Sequence, residues 1–68
     1  MNMSMRAARI NVNKTAVEAA KEIGVSEQTL RNWESGRKIP SGKYIMPILK
    51  CYECAFDDIR FSKPKITV

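Results

Sequence analysis

The chain of 68 residues carries 12 Lys and Arg against 7 Asp and Glu, no His, and a formal net charge of +5. A chain this short forms one small domain that buries only about 60% of the surface its unfolded form exposes, which argues against an enzyme-sized substrate pocket. Hydrophobic content of 44% argues against wholesale disorder, and the positive balance points to a polyanionic partner.

Gly and Pro are few, three each, and suit short helices better than a turn-rich β-sandwich. Met3 to Asn11 reads as a first helix, with Met5, Ala8 and either Ile10 or Val12 at helical spacing and Arg6 and Arg9 between them. Thr15 opens a second. The string TAVE is a capping box, Thr15 covering a free amide and Glu18 reaching back. Ala16, Ala19, Ala20 and Ile23 then make one apolar stripe, and its small side chains call for another helix close by.

Gly24 ends that helix as a left-handed residue, and Ser26 caps the next. Two helices joined by so short a turn cross steeply, which is a helix-turn-helix. In the third helix Leu30 and Trp33 share the inward face, while Glu27, Gln28, Arg31 and Asn32 fall on the opposite side. Glu34 lies near the Leu30 side and is at least half buried, so its carboxylate needs a partner. Ser35 to Lys43 reads as a loop carrying Arg37, Lys38 and Lys43.

Proline is tolerated in a first helical turn but not in an interior, so Pro47 places the start of the fourth helix near Ile45, from which it runs through Ile48, Leu49, Cys51 and Tyr52. FDDI reads as a short fifth helix with Asp57 near its positive end. The last residues, 62–68, form a tail: an arm, a dimer strand or a disordered end. Cys51 and Cys54 have C-x-x-C spacing but lack the two further ligands of a closed zinc site, and they read as small core residues. No metal or cofactor is expected. The longest apolar run, Tyr44 to Leu49, is far below the roughly 20 residues a membrane span needs. MNMSM lacks the apolar stretch of a secretory signal, and the default expectation is the cytoplasm of a bacterial-type cell or its virus.

The string GVSEQTLRNWESGRKIPS, with Ala20 four residues before Gly24 and Leu30 and Trp33 after it, resembles the Cro and lambda-type phage repressor family of helix-turn-helix proteins, the XRE type. The continuation WESGRKIP strengthens the likeness, which spans about residues 5 to 61. The resemblance implies an all-α, lambda-repressor-like domain of four or five helices over residues 1–61. It implies a regulator, Cro-like in its brevity, that binds a double-stranded DNA operator as a homodimer and acts as a repressor. It also implies that the partner of Glu34 is an Arg of the first helix, which maps onto Arg9.

A helix with Glu, Gln, Arg and Asn outward fits the major groove of B-DNA. Gln28 has the donor and acceptor for adenine, Arg31 suits guanine or a phosphate, and Asn32 sits further along. Glu27 either favours the helix dipole or accepts from a cytosine amine. Candidate phosphate contacts are Lys14, Thr15, Ser26, Arg37, Lys38 and Lys43. Two positions depart from the family pattern: Ala16 stands where a phosphate-binding Gln is common, and Lys14 where Leu is usual. Without a His, paired catalytic carboxylates or a phosphate loop, an enzyme is the weakest reading. The same fold used as a protein-docking adaptor, such as an antitoxin or anti-repressor, is the alternative.

Overall fold

Hydroxyl residues start every α-helix among the described residues. The computed structural model describes residues 3–61. It contains helices α1 (Met5–Asn11), α2 (Ala16–Ile23), α3 (Glu27–Ser35) and α4 (Gly42–Tyr52), a 3₁₀ turn at Phe56–Asp58, and two short strands, β1 (Met3–Ser4) and β2 (Ile59–Arg60). Ser4, Thr15 and Ser26 each accept a backbone amide into their side-chain oxygen at 3.1 Å, at the starts of α1, α2 and α3. Each such cap is worth about 1 kcal/mol. At Thr15 the box is complete, because its own amide donates to Glu18 Oε1 at 2.8 Å. Ser41 caps α4 without a side-chain hydrogen bond.

Helices α2 and α3 stop on Gly24 and Gly36, at φ 96° and 84°. Gly24 is there for its backbone conformation and not for space, since a Cβ at that position would meet nothing within 4 Å. Close approach of helices is instead permitted by Ala19 and Ala20, both buried in the core. Leu30 and Trp33 insert from α3, Ile48, Leu49, Cys51 and Tyr52 from α4, and Met5 and Ala8 from α1. Burying each large apolar side chain contributes about 1.5–3 kcal/mol. The roll of α3 about its axis is set by its two inward residues, which are 0% and 4% exposed. Trp33 also lies against Tyr44, ring centroids 5.4 Å apart, fastening α3 to the first turn of α4.

The sequence-based expectations differ from the fold in three places. Helix α4 begins at Gly42, not near Ile45, so Pro47 lies inside it and Lys43 belongs to its first turn rather than to the preceding loop. Pro47 lacks the N–H that would bond the Lys43 carbonyl, a loss of one bond near the helix start. Of FDDI, Phe56–Asp58 form a single 3₁₀ turn, closed by the Ala55 amide donating to Asp58 Oδ2 at 3.0 Å, and Ile59 passes into β2. Finally, Met3 pairs with Ile59 and Ser4 with Arg60 in a parallel two-stranded clasp. These are the strand residues among those described, and they leave the all-α, lambda-repressor-like character of the domain unchanged. The tail at 62–68 lies outside the described residues.

Candidate nucleic-acid interface

Ser26 starts α3 only three residues after α2 ends at Ile23. Gly24 and Val25 both donate to the Ala20 carbonyl, at 2.8 and 2.9 Å, so the turn is stitched onto α2. With one face of α3 locked into the core, the other must project. Gln28 and Arg31 are exposed, and Glu27 and Asn32 are partly covered.

These four side chains form two parallel pairs along the outer face. Arg31 holds Glu27 through Nε–H, 2.8 Å from Oε2, and through Nη2, 2.6 Å from the same oxygen. Gln28 Nε2 donates to Asn32 Oδ1 at 3.1 Å. Both pairs have the four-residue spacing at which helix side chains meet. Each leaves hydrogen-bonding groups free on the solvent side: the Arg31 Nη1 donors, and the Gln28 carbonyl and Asn32 amide.

Around this helix the cations are unevenly committed. Arg9 is consumed by the fold. Its Nε donates to Glu34 Oε2 at 2.7 Å, Nη2 to Glu34 Oε1 at 3.2 Å, and Nη1 to the Lys14 carbonyl at 2.8 Å. The two side chains are only 10% and 7% exposed. The Glu34 hydrogen bond raises the Arg9 pKa, against an opposing push from burial.

Lys14 is also turned inward. Its ammonium donates to the Cys51 carbonyl at 2.7 Å and to Glu22 Oε1 at 2.9 Å. It thereby caps the C-terminal turn of α4 in the way a cation favours. The Glu22 hydrogen bond raises the Lys14 pKa and lowers that of Glu22 in return. Arg37 and Lys38 are exposed in the loop after α3, where their amides fold back onto the Asn32 carbonyl at 3.0 and 3.2 Å. Lys43 sits 5.2 Å from the centroid of the Tyr44 ring. Thr15 and Ser26 are exposed but already engaged as helix caps.

Arg6 was not singled out for contact by sequence reasoning. It lines a groove between α1 and α3 together with Arg9, Arg31, Glu34 and Ser35. The groove continues past Asn13 and Thr15 at the start of α2. Among the described residues Arg6 has no ion-pair partner. The signal was in the sequence: Arg6 precedes Arg9 by three residues, which puts both on one side of α1 and faces Arg6 toward the same helix that Arg9 grips.

Cys51 is buried and Cys54 partly so, both as free thiols. Burial pushes both thiol pKa values up, the opposite of what a thiolate ligand or nucleophile needs. No group of three or more His, Cys, Asp or Glu that could hold a metal occurs among the described residues. No helix among them is long and apolar enough to cross a membrane.

An exposed polar helix, rolled into place by two buried side chains and reached through a four-residue-spaced small residue and a left-handed glycine, defines a helix-turn-helix DNA-binding domain. The helix-turn-helix family model matches residues 5–59, and the chain belongs to that family, in its XRE type. It is a DNA-binding transcriptional regulator. No curated protein and no solved structure gives a significant match to it.

Proposed function

We propose that the chain is a sequence-specific repressor of the Cro type that binds a two-fold DNA operator as a homodimer and occludes a promoter. The observation that carries this reading is the outer face of α3. Gln28 and Arg31 stand exposed, and Glu27 and Asn32 partly so, on a helix whose opposite face is fixed by Leu30 and Trp33. In this reading α3 enters the major groove, Gln28 pairs with adenine, Arg31 reads guanine, and Asn32 reaches the next base along.

The backbone of the DNA is held by Thr15, Ser26, Arg37, Lys38 and Lys43, all exposed. We add Arg6 to this set, because it shares the groove with Arg31 and has no competing carboxylate among the described residues. We leave Lys14 out, because its ammonium is occupied by Glu22 and the Cys51 carbonyl. Residues 1–61 constitute the DNA-binding unit, working in a bacterial cytoplasm. One module of this size reads only a few base pairs, so two copies on related half-sites supply the affinity a repressor needs.

Selection of bound duplexes from a random library tests all of this together. The expected product is a two-fold symmetric sequence with half-sites about one helical turn apart. Affinity for it should fall with salt at a log–log slope of roughly −0.9 for each phosphate neutralised. A flat salt response, or no duplex enriched, overturns the reading in favour of a protein-docking adaptor.

A further inference from the structure

Glu27 stands where a repressor should not place a negative charge: on the outer face of α3, pointed toward a polyanion. Its geometry resolves the conflict. Nε–H and one Nη2–H of Arg31 are both directed to Glu27 Oε2. That is the side-on edge of the guanidinium. The end-on edge, made by Nη1 and the second Nη2 hydrogen, stays free and carries two parallel donors. Guanine presents two acceptors, O6 and N7, side by side in the major groove. An end-on approach therefore satisfies guanine while the Glu27 bond is kept.

We propose that Glu27 is a positioning residue for Arg31, holding its guanidinium end-on so that it reads guanine instead of swinging aside to clamp a phosphate. This rests on the DNA-recognition reading above and adds the determinant of what Arg31 recognises. Two features of the fold support it. Glu34, three residues along and the other carboxylate within helical reach of Arg31, has both oxygens filled by Arg9. Arg6, which lines the same groove and has no carboxylate partner among the described residues, disfavours a swing of Arg31 toward α1. Glu27 is thus the one acidic neighbour left to orient Arg31 among the described residues. Its charge also penalises any phosphate that approaches α3 without the compensating guanine contact, so wrong sequences gain less from electrostatics.

The test is a double-mutant cycle on the selected operator. Arg31→Ala first identifies the base pair whose preference Arg31 controls. For that pair the ratio of affinities for G·C and A·T is then measured in wild type, Glu27→Gln, Arg31→Ala and the double variant. An exposed ion pair is worth about two- to fivefold, and Glu27→Gln should reduce the ratio by that factor while tightening binding to unrelated duplex. In the Arg31→Ala background the same change should leave the ratio alone. Arg31 is exposed and Glu27 only partly covered, and circular dichroism checks that each variant keeps its helices. An unchanged ratio in Glu27→Gln overturns the inference while leaving the repressor reading standing. So does a shift in a different base pair that persists without Arg31, which would make Glu27 a base reader itself. If the wild type enriches no duplex, both the repressor reading and this inference fall.

Discussion

Arg9 shows how much of the domain can hang on one side chain. Through its three nitrogens it ties α1 to α3 and to the turn before α2. Removing it strands the Glu34 carboxylate, 7% exposed, beside the core. Breaking a fully buried pair costs roughly 3–5 kcal/mol, and because this pair borders an open groove we expect about 2–3 for Arg9→Ala. Thermal unfolding should register a fall of more than about 10 °C in a domain of this size, with the selected DNA sequence unchanged. Tyr52 presents the opposite case. The residue is 2% exposed, and its hydroxyl is buried with no partner among the described residues. Burial drives its pKa upward, so the phenol stays neutral. Tyr52→Phe keeps the packing and removes an unsatisfied donor, so unfolding should show a change between zero and about 1 kcal/mol of added stability.

At the scale of elements, what could be read in advance follows the range of the interactions involved. The Thr15 box, the Ser26 cap and the Gly24 turn depend on neighbours a few residues away, and each stands where its own spacing puts it. The stripe of Ala16, Ala19, Ala20 and Ile23 is buried for the same reason. The inward turn of Lys14 was not legible, because its acceptors lie 8 and 37 residues further along the chain. Nor was the start of α4. A rule about proline gives the cost of Pro47 but not what repays it, here the stacking of Tyr44 on Trp33 and the burial of Ile48 and Leu49. The clasp between Met3 and Ile59 joins segments too short to show any period. The other end of α4 carries a local defect that can be tested: Glu53 closes the helix at φ 54°, a left-handed conformation unfavourable for a side chain with a Cβ. Glu53→Gly relieves that strain, offset by glycine's extra freedom in the unfolded chain. The expected gain is up to about 1 kcal/mol, read as a higher denaturant midpoint.

The whole molecule divides its charges between holding itself together and meeting DNA. The pair that braces α2 against the end of α4 makes stability depend on pH in a stated direction. Glu22 has a lowered pKa in the folded state. Its contribution is complete above the ordinary carboxylate value of about 4.3 and is lost as pH falls through the folded value. Lys14 has a raised pKa. Its contribution is complete below the ordinary lysine value of about 10.4 and is lost as pH rises through the folded one. Melting temperature should therefore run flat between those limits with respect to this pair. Glu22→Gln should remove part of the fall on the acid side and leave the selected DNA sequence unchanged.

The clasp of β1 and β2 also fixes an order of assembly. Helices α2 and α3 meet across a turn of a few residues, so their docking closes a short loop at little entropic cost. The pairing of Met3 with Ile59 closes nearly the whole described chain on itself, and only two residues from each strand reward it. Contacts of that separation have to wait until the intervening chain is compact. The helix-turn-helix is thus the first part of the domain able to organise, and the union of its two ends comes last.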